Sequence, residues 1–111
     1  MSDEKRRSVR HPFIASAEVE ELAVGSRLPS RVSDLSAGGC YVDTVNPFPG
    51  GTRVRVKIFT ATQQFEAPAT VVYAHTHMGM GLHFGELAPE HQATLRQWLP
   101  SDESGMQHAK A

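Results

Sequence analysis

The sequence predicts an all-β domain, an antiparallel barrel or sandwich, with one short helix near its C-terminal end. Three observations lead there. Apolar and polar residues alternate with period two in several separate stretches, residues with turn chemistry cluster between those stretches, and helical spacing is confined to the segment after Pro89.

Residues 1–12 form a polar, charged leader without periodicity, read as a flexible arginine-rich arm ahead of a barrel spanning 13–100. Pro12 keeps the residue before it extended and blocks helix there. From Phe13 the first strand puts Phe13, Ala15, Ala17 and Val19 on one face and Ser16, Glu18 and Glu20 on the other. Val24-Gly25-Ser26 is a turn. A second strand runs from Leu28 to about Ser33, with Pro29 confining it to an edge or to its first residues. Asp34 to Gly39 reads as a tight turn, since Asp, Ser and Gly favour local backbone hydrogen bonds or positive φ. Extended structure resumes from Cys40 to Val45. Asn46-Pro47-Phe48-Pro49-Gly50-Gly51 is a loop. Val54, Val56 and Ile58 then point inward against Arg53, Arg55 and Lys57. Phe65, Ala67, Ala69, Val71 and Tyr73 repeat the inward pattern, as do Met78, Met80, Leu82 and Phe84. Pro89 suits the first position of a helix over about 89–99, where Leu95, Trp98 and Leu99 share a stripe and Trp98 plugs the core. Pro100 ends it, and residues 101–111 read as a disordered tail.

With 111 residues, 40% hydrophobic and 21% charged, the chain has the composition of one globular domain. A net charge of −1 argues against binding nucleic acid through a broad basic surface, so neither DNA nor RNA is expected as a partner. No apolar run approaches the ~18–20 residues of a membrane span, and the first residues show no signal-peptide core. With a single cysteine, no internal disulfide can form. Membrane insertion is not expected, and a cytoplasmic location is. Cys40, set in a strand, reads as a buried spectator.

Two motifs stand out from this background. Lys5, Arg6, Arg7 and Arg10 are concentrated in the leader, opposed there by Glu4 alone within residues 4–10. Arginine holds a phosphate through two parallel hydrogen bonds, stacks on a base, and addresses the O6 and N7 acceptors of guanine. Ordering such an arm costs about 1–2 kcal/mol per backbone residue, so it should close only over a ligand that supplies charge-assisted bonds. The second motif is Asp34-Leu35-Ser36-Ala37-Gly38-Gly39. Asp34 can accept from the N1–H and exocyclic amine of guanine, Ser36 offers a hydroxyl, and Gly38 and Gly39 let the backbone approach a ligand closely. Taken singly, the first motif is also a solvated basic tail and the second an ordinary β-turn. Their conjunction points to a compact anion bearing phosphates and guanine edges.

Arg6-Arg7-Ser8-Val9-Arg10 matches the RxxxR element of the PilZ domain, and Asp34 to Gly39 matches its (D/N)xSxxG element. Met80-Gly81-Leu82-His83-Phe84 resembles the glycine-plus-aromatic strand that closes the same domain. The resemblance covers roughly residues 4 to 100. It implies a six-stranded antiparallel β-barrel with a short C-terminal α-helix, acting as a bacterial receptor for the second messenger cyclic di-GMP. By position, Arg6 and Arg10 would meet phosphates and guanine faces, with Arg7 an extra contact. Asp34 would read a guanine edge, with Ser36, Gly38 and Gly39 completing the site. The basic Lys5 before RxxxR holds the position that bears on whether one ligand or a stacked pair is bound, and both remain open.

Other chemistries have less support. His75 and His77 lack accompanying ligands at metal spacing, so no metal is expected. His11 adjoins the arm, and His83 should point outward. Ser36 has no base and acid grouped with it for nucleophilic work, so catalysis and a cofactor are not expected. Two classes remain: a receptor whose arm orders over cyclic di-GMP and changes the surface shown to an unidentified effector protein, and a constitutive protein–protein adaptor of the same fold that binds no nucleotide.

Overall fold

The computed structural model describes residues 9–100. Six strands close into one antiparallel barrel: β1 (His11–Glu21), β2 (Arg27–Leu35), β3 (Gly39–Asp43), β4 (Arg53–Phe59), β5 (Gln64–His75) and β6 (Gly79–Phe84). Their order around the barrel is β1-β2-β3-β6-β5-β4, with β4 returning to pair with β1. Closure gives each strand two neighbours, and so removes the long unpaired edge of an open sheet. A helix, α1 (Pro89–Trp98), follows β6.

The alternation legible in the sequence is the inside–outside alternation of the barrel wall. Val54, Val56 and Ile58 of β4 are fully buried, while Arg55, between two of them, turns outward to Glu66 of β5 at 3.4 Å. Val19, Val32, Leu35, Val42, Phe65, Ala67, Val71, Met80, Leu82 and Phe84 fill the interior. Pro29 is tolerated in this closed wall because β2 begins before its pairing with β3, which starts at Arg31↔Asp43; at Pro29 the partner is Glu18 of β1.

α1 seals one end. Pro89 occupies its first turn, Leu95 is buried, and Trp98 stacks on Phe13 at a ring separation of 5.0 Å and lies 6.1 Å from Phe65. The indole Nε1–H donates to Gln63 Oε1 at 2.9 Å, satisfying the one polar group the ring carries inward. The Glu66 amide donates to His91 Nδ1 at 3.2 Å, a second tie between helix and wall.

Four local expectations change. β1 starts at His11 rather than after residue 12, pairing His11 with Leu35. Asp34 and Leu35 are the last residues of β2, so the turn is only Ser36–Gly38, and positive φ falls instead on Gly25, Gly51 and His77. Met78 is 65% exposed because it belongs to the β5–β6 turn. Tyr73 does not continue the inward face. The register steps from Val71↔Leu82 to Tyr73↔Gly81, so two residues of β5 oppose one of β6, and this bulge carries Tyr73 to the outer surface.

Candidate functional site

The pairing of β1 with β2 assembles the site. With His11 opposite Leu35 and Pro12 opposite Asp34, Arg10 is delivered beside the carboxylate 24 positions further along the sequence. Arg10 Nη1 lies 3.8 Å from Asp34 Oδ2, and Nη2 donates to the Tyr73 hydroxyl. The guanidinium carbon is 5.8 Å from the centre of the Tyr73 ring. The Tyr73 hydrogen bond is the main influence raising the Arg10 pKa above the usual arginine value; partial burial works against it, and Asp34 adds to the rise. Arg6 and Arg7 lie outside the described residues.

Asp34 Oδ1 is buried and has no hydrogen-bond partner among the described residues. A desolvated carboxylate oxygen of this kind carries a penalty of about 1–3 kcal/mol or more until a donor reaches it.

The turn after Asp34 is braced from within. Ser36 is 5% exposed. Its Oγ accepts from the amides of Gly38 (3.3 Å) and Gly39 (3.1 Å) and donates to the Gly39 carbonyl (3.2 Å), which also receives the Ser36 amide at 2.8 Å. A hydroxyl has one proton and two lone pairs, so the Ser36 side chain is fully occupied. It shapes the corner by holding its backbone. The two glycines serve different ends. A Cβ on Gly39 would sit 2.0 Å from the Leu82 carbonyl oxygen, so β3 and β6 can approach only without a side chain there. A Cβ on Gly38 would meet nothing closer than His83 at 4.0 Å; its outer side is open.

Around this corner lies a concavity of about 160 Å³ lined by Arg10, Ser36, Gly38, Gly39, Cys40, Val72, Leu82 and His83. Pockets that enclose drug-sized ligands measure ~300–1,000 Å³, so this corner can seat one fragment of a nucleotide while the remainder lies on the barrel wall. A larger open concavity of about 560 Å³, lined in part by Arg31, Asp43, Val45 and Met78, sits at the far end of β2 and β3. Its Arg31 and Asp43 neighbour one another at 3.8 Å.

Sequence reasoning missed the aromatic side of the site. Tyr41 and Tyr73 flank β6 on the outer face with ring centres 6.3 Å apart, and His75 stands 5.1 Å from Tyr73 with its Nδ1 3.2 Å from the Tyr41 hydroxyl. Burial, the nearby Tyr73 and the carboxylates of Asp43 and Asp34 raise the Tyr41 pKa above its usual value. Both rings lie across glycines: a Cβ on Gly79 would come 2.7 Å from Tyr41, and one on Gly81 2.4 Å from Tyr73. The signal was Gly79-Met80-Gly81, two glycines of outward parity opposite aromatic residues on neighbouring strands. His83, on the same strand, is exposed beside the corner, as its parity indicated.

Cys40 is buried, and burial pushes its thiol pKa far above the usual range. Among the described residues no group of three or more His, Cys, Asp or Glu could hold a metal ion, and no helix is long and apolar enough to cross a membrane.

Comparison with known proteins places these features in context. The model of the PilZ domain family matches residues 4–100. No curated protein matches the sequence. Among solved structures, the PilZ domain of CeSA from a cellulose-synthesizing bacterium is 21% identical, with a TM-score of 0.65 covering 91% of this chain and 100% of that one. YcgR from Escherichia coli in complex with cyclic di-GMP is 20% identical, with a TM-score of 0.72 over 96% of this chain and 49% of that one. The PlzA protein of Borreliella burgdorferi, also in complex with cyclic di-GMP, is 13% identical, with a TM-score of 0.61 over 90% of this chain and 38% of that one. The chain thus spans about half of YcgR and less of PlzA, and at these identities the shared property is the fold.

Proposed function

The chain belongs to the PilZ domain family, and on that premise we propose that it is a receptor for cyclic di-GMP. The observation that carries the reading is the meeting of Arg10 with Asp34, whose buried Oδ1 lacks a donor among the described residues. Guanine presents two adjacent donors, N1–H and the exocyclic amine, and a carboxylate accepts both. Arg10, positively charged beside the open Gly38 backbone, meets a phosphate or the O6 and N7 edge of a base. Ser36 and Gly39 act through the shape of the turn, Ser36 by bracing it and Gly39 by letting β3 close on β6. Arg6 and Arg7 reach the ligand from the leader, which closes over it and alters the surface offered to an effector protein.

A binding role also suits the two nucleophile-bearing side chains near the corner. The Ser36 hydroxyl is committed to the backbone and the Cys40 thiol is buried and held protonated.

Calorimetric titration of the full chain tests this. Cyclic di-GMP should bind with micromolar or tighter affinity, and Arg10→Ala should weaken binding more than about tenfold, because a hydrogen bond to a charged group contributes about 1.5–3 kcal/mol. Asp34→Ala should narrow the preference over cyclic di-AMP, which lacks the amine and N1–H donors of guanine. No heat up to millimolar cyclic di-GMP would leave the nucleotide-free adaptor as the reading.

A further inference from the structure

We propose that Tyr73 is a positioning residue for ligand capture, holding the Arg10 guanidinium in place before the nucleotide arrives. The inference rests on the receptor reading above and adds to it a residue outside both motifs. A surface arginine has substantial rotamer entropy to lose when it is fixed against a ligand. Here part of that freedom is already gone, since Nη2 donates to the Tyr73 hydroxyl while the head lies near the ring face. A guanidinium has five N–H donors, and a neutral phenol takes one without cancelling the charge. Asp34, the neighbouring carboxylate, stands back at 3.8 Å. The head is thus fixed with most of its donors and its positive charge still available.

The placement of Tyr73 is itself built by two features without another evident purpose. The bulge between Val71 and Tyr73 turns the side chain from the core to the outer wall. Gly81 provides the bare strip on which the ring lies, since a Cβ there would fall 2.4 Å from it. Preorganisation of this kind raises affinity by lowering the ordering cost of binding rather than by adding a ligand contact.

Tyr73→Phe removes the hydroxyl and keeps the ring, and Gly81→Ala displaces the ring and keeps the hydroxyl. Each should weaken cyclic di-GMP binding about fivefold to tenfold by calorimetry, the scale of one ordinary hydrogen bond. The Tyr73→Phe melting temperature should stay within about 2 °C of wild type, because its packing is unchanged. In the Arg10→Ala background Tyr73→Phe should have no further effect on affinity. In the ligand-free protein, NMR exchange of the Arg10 Nε proton should quicken in Tyr73→Phe, a change that a merely structural tyrosine would not produce. Wild-type affinity in both variants, full additivity with Arg10→Ala, or unaltered Arg10 proton exchange would overturn the role of Tyr73 while leaving the receptor reading intact. Wild-type protein that gives no heat with cyclic di-GMP would overturn both.

Discussion

At the scale of single residues, the second motif divides into a group with an unused acceptor and groups that hold the backbone. Asp34 holds a buried acceptor without a donor among the described residues, and the Ser36 hydroxyl has no valence to spare. Gly38 and Gly39 are adjacent in sequence yet answer to different constraints. Gly39→Ala should destabilise the fold by about 1–3 kcal/mol, the usual cost of forcing extra volume into a packed site, because its Cβ would meet the Leu82 carbonyl; Gly38→Ala should leave the urea midpoint almost unmoved. Nothing in the residue pair distinguishes them, since the distinction depends on which strand lies across from β3. The spectator reading of Cys40 follows more directly from its surroundings. Because burial raises the thiol pKa in the folded state, the native chain keeps the proton that the unfolded chain releases above its ordinary pKa near 9. The resulting stability is fully present below that pH and falls away as pH rises beyond it. Urea titrations from pH 8 to 10.5 should show a steeper loss for wild type than for Cys40→Ala; parallel losses would mean the thiol is not shielded.

At the scale of elements, period-two counting located the strands and failed where the wall departs from period two. β4 follows its pattern from end to end, so its interior face could be read directly from Val54, Val56 and Ile58. β5 breaks after Val71, and the extra residue sends Tyr73 outward. A bulge inserts one residue without any special composition, so counting parity through it assigns the wrong face to every residue beyond. β1 and β2 have further register steps, between Pro12 and Ala15 and between Val32 and Asp34. Yet β1 keeps its alternation from Phe13 to Val19, with Ile14 67% exposed between Phe13 and Ala15. The aromatic part of the candidate site, which depends on the step in β5, is where the sequence was least legible. α1 was legible because its stripe and both its prolines agree. Trp98→Ala should cost about 2–4 kcal/mol in chemical denaturation, toward the lower end of core aromatic truncations since the indole is half-buried. A loss under 1 kcal/mol would mean that the helix does not depend on this anchor.

At the scale of the whole molecule, the site is joined across the barrel rather than attached to one loop. Arg10 enters from the residue just before β1, Asp34 from β2, Gly39 from β3, Tyr73 from β5 and Gly81 from β6. Neighbouring strands pair all the way round the barrel, and the closed order has no free edge at which local opening could begin. A small domain of this kind unfolds as a unit, so a ligand held at the corner should stabilise every strand together. The gain is set by mass action: at a free ligand concentration of 100 times Kd it is about 2.7 kcal/mol. For a domain of this size that corresponds to a rise in melting temperature of about 10–20 °C. Differential scanning calorimetry with cyclic di-GMP should therefore show a single transition that moves upward as ligand is added, with the shift reduced in Arg10→Ala at equal concentration. A second transition that stays in place would show that the corner is energetically separate from the wall. An unmoved single transition at millimolar ligand would favour the constitutive adaptor, because no differential affinity for the folded state would exist to shift it.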